Sequence, residues 1–236
     1  MEQNLSTAFG NAASTTQLGD VMAQRHSVLR NTYWLLAISM IPTVLGAWLG
    51  VQLKLSLFAG SPMIGFMVTL AIAFGFFYAI EKTKNSSIGV LVLLGFTFFM
   101  GLMLSRLISS MLGFSNGASL IMMSFGGTAT IFAVMATVAT VSKRDFSGLS
   151  KWLFAGVLVI LVASVANIFL QLPALQLAVA VIAIGIFSAY ILFDVQQSIN
   201  GGEPNYIAAT LSIYLDVYNI FVSLLQILGI LGGERD

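Results

Sequence analysis

Two acidic residues stand where a hydrocarbon environment tolerates them least. Asp194 closes an apolar run that begins near Leu175, and Asp216 lies near the middle of the next one. Nearly every other charge falls in a tail or between apolar runs. A carboxylate within a bilayer costs at least a few kcal/mol, so such a residue is a functional-site hypothesis by default. Two carboxylates that meet in a poorly hydrated site cannot both ionise cheaply, so the pair would hold one proton between them. With that proton the pair is a hydrogen-bonded latch. Without it the pair repels itself and becomes an oxygen-rich site of the kind that hard cations such as calcium prefer.

The segment between the aspartates decides whether they can meet. Asn200-Gly201-Gly202 is a natural helix stop, because glycine enters the left-handed conformation freely, and Pro204 suits the first turn of a following helix. The expectation is a tight antiparallel hairpin. On a 1.5 Å rise per residue, Asp194 sits roughly 8 Å from the end of its helix and Asp216 roughly 14 Å into the next. Contact is permitted by that geometry and not compelled. The plainer alternative makes Asp194 an interfacial residue and pairs Asp216 with Asn219, Tyr218 or a water.

The composition states the solvent. The 236 residues are 58% hydrophobic and 8% charged, with a mean hydropathy of +0.96, whereas a soluble domain carries about 25% charge. The expectation is an all-α membrane protein, a bundle of seven transmembrane helices. About 20 apolar residues cross a bilayer as a helix, and runs of that kind cover 33–53, 63–80, 88–107, 118–140, 152–172, 174–198 and 207–231. Gly60-Ser61-Pro62, Asn85-Ser86-Ser87 and Ser115-Asn116-Gly117 separate the first four runs. Pro173 alone separates the fifth from the sixth, which predicts a tight turn there.

Residues 1–32 are polar, lack an apolar signal-peptide core and read as a flexible N-terminal tail, leaving 33–231 as the transmembrane domain. Lys and Arg favour cytoplasmic loops. Arg25, Arg30, Lys82, Lys84, Lys143, Arg144 and Lys151 fall on one side, against Lys54, Arg106 and Arg235 on the other. The N-terminus is therefore expected in the cytoplasm and the C-terminus outside. Trp34, Trp152 and Tyr206 fit interfacial anchors, and Arg106 fits snorkelling to the headgroups. Small residues in the fourth run (Gly126, Gly127, Thr128, Ala129, Ala136) and the fifth (Ala163, Ala166, Asn167) suggest close helix packing.

Other chemistry has little to stand on. With no cysteine there are no disulfides, thiolate metal sites or cysteine nucleophiles. The single histidine, His26, lies in the polar tail beside Arg25. No phosphate-binding glycine loop, histidine metal cluster or serine triad occurs, and no basic aromatic-rich cluster points to nucleic acid. An intramembrane aspartyl protease would also use two aspartates on adjacent spans. The Gly-x-Gly-Asp pattern it needs is absent, since residues 213–216 read Ile-Tyr-Leu-Asp. No enzyme is expected.

The aspartate segments carry a family likeness. Ile191-Leu192-Phe193-Asp194-Val195-Gln196 and Leu211-Ser212-Ile213-Tyr214-Leu215-Asp216-Val217-Tyr218-Asn219-Ile220-Phe221 resemble the signature of the Bax-inhibitor-1 family. Phe125-Gly126-Gly127-Thr128 with Ile131-Phe132-Ala133 resembles its mid-chain motif. Leu29-Arg30-Asn31-Thr32-Tyr33, the stretch 166–175 and Gly201-Gly202-Glu203-Pro204-Asn205-Tyr206-Ile207 are similar to the proteobacterial branch that modulates the membrane-anchored protease FtsH. The resemblance implies a central helix ringed by the others, in a bacterial inner membrane. It implies a pH-sensitive calcium leak with Asp194 and Asp216 as sensor and cation ligands, no cofactor beyond that ion, and FtsH as a protein partner. It also implies a basic latch residue at the end of span two, where Lys82 matches best. The plainer role for Lys82 is a solvated positive-inside charge.

Overall fold

The structure, a computed structural model, describes the backbone of residues 2–54 and 62–234 and the side chains of 26–54 and 63–234. The described residues form seven long helices: α1 (Glu2–Gln52), α2 (Pro62–Thr83), α3 (Ser87–Met111), α4 (Gly117–Val141), α5 (Ser150–Leu170), α6 (Pro173–Asn200) and α7 (Tyr206–Gly232). A short 3-10 turn, Ser147–Leu149, leads into α5. Each long helix contains a stretch long and apolar enough to span a membrane, the first of them His26–Gln52 within α1. The division at residue 32 falls inside α1. The Gly60-Ser61-Pro62 turn lies outside the described residues, except for Pro62 at the start of α2.

Pairing of the connections shows which helix ends share a face. The Asn205 side chain donates to the Lys84 carbonyl at 2.9 Å, joining the α6–α7 and α2–α3 connections. Gln196 near the end of α6 bonds the backbone of the α4–α5 connection. At the opposite face Asn116 and Ser115, between α3 and α4, donate to the carbonyls of Gly232, the last residue of α7, and Glu234 beyond it. The two faces are called below the hairpin end and the Gly233 end.

Helix α7 is the hub, packing against α1, α2, α3, α4 and α6. Its Ile207, Ile213, Tyr214, Ile220 and Leu225 are fully buried. Ile207, Ile213, Tyr214 and Ile220 meet Leu93 and Phe96 of α3 and Ile191 and Val195 of α6 in one core. Helix α5 sits at the periphery against α6, with Leu153 its one buried residue. The exposed apolar side chains, Trp34, Trp48, Phe74, Phe154 and Phe169 among them, form the belt that a hydrocarbon solvent requires.

The tightest crossing joins α1 to α3. A side chain at Gly101 would run into the Thr43 carbonyl, and one at Gly46 into the Phe98 carbonyl. Lipid tails supply no hydrophobic drive between helices, so close backbone approach at small residues is what holds such a pair. Only part of the expected small-residue packing in α4 is present. Gly126 faces open space, while Gly127 meets Leu224 of α7 and Thr128 is buried. In α5, Asn167 caps its own turn by accepting from the Leu172 amide at 2.9 Å. Gln171 there adopts the left-handed conformation (φ 50°), turning the chain into α6 at Pro173.

Candidate functional site: a carboxylate pair in the α6–α7 hairpin

The hairpin closes where the glycines stand. Gly201 takes φ 81° as the left-handed residue after α6, and its amide bonds the Gln197 carbonyl. Glycine alone reaches that conformation without a Cβ penalty. Pro204 precedes the next helix instead of opening it. Asn205 is the cap of α7, accepting from the amides of Ile207 at 2.9 Å and Ala208 at 3.1 Å. Its side-chain amide is committed to Lys84 and Asn85, so one residue ends two connections at once. Asparagine two positions before an apolar run is a cap signal in sequence; the second role is visible only in three dimensions.

Within that hairpin Asp194 and Asp216 face each other, their carboxyl groups within hydrogen-bonding reach. Asp216 is 4% exposed, while Asp194 is partly buried. No protein donor reaches Oδ2 of Asp216 among the described residues. Both groups accept hydrogen bonds when ionised and neither donates, so a bond between them needs a proton on one. The local partners expected for Asp216 are otherwise engaged. Asn219 donates to the Leu215 carbonyl at 2.7 Å, and the Tyr218 hydroxyl donates to the Met100 carbonyl at 3.3 Å.

Two further groups belong to this site. Tyr190, one turn before Asp194, lies within electrostatic reach of both aspartates. Glu203 of the hairpin turn lies within reach of Asp194 and holds the Asn205 amide at 2.9 Å. Its signal in sequence is a third acid within the turn; Tyr190 carries none beyond its i−4 spacing. Lys82 is not brought to the aspartates. It is exposed, with its ammonium 5.6 Å from the centre of the Tyr78 ring. Its neighbour Lys84 pairs instead with Glu81 at 2.6 Å, and that bond, led by the Glu81 carboxylate, raises the Lys84 ammonium above the usual lysine range.

Beside the pair, at the hairpin end, Gln196 fastens the α4–α5 connection to α6. Its amide donates to the Arg144 carbonyl at 2.6 Å and its oxygen accepts from the Phe146 amide at 2.7 Å. A cavity of about 250 Å³ opens there among Asp145, Ser147, Phe193, Gln196 and Gln197. Ser147 bonds Asp145 through its amide and hydroxyl, which holds that carboxyl below the usual carboxylate range. Among the described residues no three acids or histidines gather as a metal site. A cation at Asp194 and Asp216 would therefore draw on these two carboxylates and on backbone carbonyls or water.

The fold and the hairpin define a polytopic helical membrane protein with a carboxylate pair enclosed in its bundle. The model of the family "Inhibitor of apoptosis-promoting Bax1" matches residues 25–233, and the chain belongs to that family. It is 41% identical over 204 residues to "Modulator of FtsH protease YccA" of Escherichia coli K12, covering 86% of this chain and 90% of the relative. The corresponding protein of Escherichia coli O6:H1, equally similar, is named an inner membrane protein. An uncharacterized protein of Neisseria meningitidis serogroup A is 37% identical over 212 residues, 89% of this chain and 93% of that one.

Proposed function

We propose that this protein is a pH-sensitive calcium leak of the bacterial inner membrane, gated by Asp194 and Asp216, without enzymatic activity. The observation that carries the reading is the pair itself: two carboxyl groups within hydrogen-bonding reach across a hairpin, one of them 4% exposed with an oxygen that no donor among the described residues reaches. A purely structural polar contact would be satisfied from within the protein. A proton satisfies it here, and a divalent cation competes for the same oxygens once that proton leaves. The hairpin end then lies in the cytoplasm, as the basic residues Lys82, Lys84, Lys143, Arg144 and Lys151 suggest.

The test is calcium uptake into proteoliposomes across pH. Flux is expected to rise with pH in the wild type and to lose that dependence in Asp216→Asn. The same pH dependence in both proteins would leave Asp216 as a structural contact.

A second reading is favoured by the Escherichia coli K12 relative, whose name makes it a modulator of FtsH. This chain would then bind FtsH and slow its degradation of membrane proteins, with residues 1–32 as the handle. The two activities are compatible. Degradation of a membrane substrate by FtsH should slow when the full chain is added, and should respond less to a chain lacking residues 2–24.

A further inference from the structure

At the Gly233 end a cavity of about 630 Å³ opens between α3, α6 and α7. Gln176 of α6 and Gln226 of α7 line it, with Ser110, Met111 and Gly229 beside them. Gln226 is the last of a polar row on α7: Ser212, Asp216, Asn219, Ser223, Gln226. Steps of four, three, four and three residues keep one face of a helix with 3.6 residues per turn. The row therefore runs from the carboxylate pair to the cavity, about 15 Å between Asp216 and Gln226 at the helical rise.

Other buried hydroxyls on neighbouring helices return a hydrogen bond to the carbonyl four residues back, as Ser39, Thr43, Ser124 and Thr128 do. Ser223, Gln226 and Gln176 differ. Among the described residues their side chains make no hydrogen bond to protein, although Ser223 is 6% exposed. Polar groups left unpaired in hydrocarbon cost several kcal/mol each. Such groups are stable in a span only where water reaches them.

We propose that this cavity is a hydrated mouth for cations and that Gln226, Ser223 and Asn219 form a polar track from it to Asp216. The track rests on the leak reading for its cargo, a hard cation shedding part of its water. Amide and hydroxyl oxygens suit that role, because they replace hydration weakly enough for the ion to leave. The α7 face bearing Tyr214 and Tyr218 offers no such row, since both hydroxyls are committed, to Thr43 of α1 and to the Met100 carbonyl of α3.

The cysteine-free chain permits a direct test. Single variants Gln226→Cys, Ser223→Cys and, as a buried position off the row, Leu225→Cys are placed in sealed proteoliposomes. They are treated from either side with a membrane-impermeant cationic thiosulfonate. Gln226→Cys and Ser223→Cys should react from the Gly233 side only, and Leu225→Cys from neither. Calcium flux should fall about tenfold in Ser223→Val, equivalent to about 1.4 kcal/mol on the barrier. Wild-type flux with no labelling at Ser223→Cys and no loss in Ser223→Val would overturn the track and leave the leak reading in place. Labelling at Ser223→Cys with no wild-type flux would support the hydrated mouth and overturn the leak.

Discussion

Asp194 and Asp216 lie opposite each other across the hairpin. On the proposed reading one proton between them holds α6 to α7; when it leaves, two negative charges face each other in a poorly hydrated space. The latch of that reading is present at low pH and lost as pH rises, so cation passage should increase with pH. Asp194→Asn should flatten the response as is expected of Asp216→Asn, and the double variant should add nothing further, as expected of coupled residues. Full additivity of the two effects, read from flux titrations of all four proteins, would separate the residues. Tyr214 makes a different claim. Its hydroxyl lies 2.8 Å from that of Thr43, so Tyr214→Phe should cost about 1 kcal/mol of stability and leave the pH dependence of flux unchanged.

Helices are positioned here by two kinds of contact. The α1–α3 crossing depends on backbone meeting backbone at Gly46 and Gly101. Gly101→Val puts a branched side chain against the Thr43 carbonyl, and overpacking of that kind costs about 1–3 kcal/mol. It should lower the melting temperature in detergent, whereas Gly126→Val, whose site faces open space, should not. The α6–α7 hairpin depends on Asn205. Losing a cap costs about 1 kcal/mol, and Asn205→Ala also releases the Lys84 carbonyl. Hydrogen exchange should therefore quicken in both the α2–α3 and the α6–α7 connections. Exchange confined to the start of α7 would show that the tie between the connections contributes little.

At the scale of the molecule the question is which face meets which compartment. The structure groups the helix ends into two faces through bonds such as Asn205 to Lys84 and Asn116 to Gly232, and the proposed orientation, which rests on the basic residues at the hairpin end, turns that face to the cytoplasm. A reporter fused after Asp236 should read as periplasmic; a cytoplasmic signal would invert the bundle. The segment before the first span is a separate matter. Deleting residues 2–24 should leave the melting temperature of the bundle unchanged, since that segment's polar composition supplies little core, while changing the response of FtsH. A large loss of stability would mean that it packs on the bundle.

Seven spans were legible in sequence because the bilayer imposes a length and a hydropathy on every crossing, and a helix must satisfy its own backbone there. The sequence also singled out Asp194 and Asp216, since a charge inside an apolar run is costly wherever the run packs. Their meeting was not legible. Two residues on one hairpin about a turn apart in level touch or miss according to the rotation of each helix, and rotation is set by neighbours such as Ile191, Val195 and Ile220 in the shared core. The same reason hid Gly46 and Gly101, whose value lies in the carbonyl opposite, and overrated Gly126, which has nothing opposite it. Local periodicity determined what each helix is; the tertiary structure alone decided which side chains face one another, because that is a property of pairs distant in the chain.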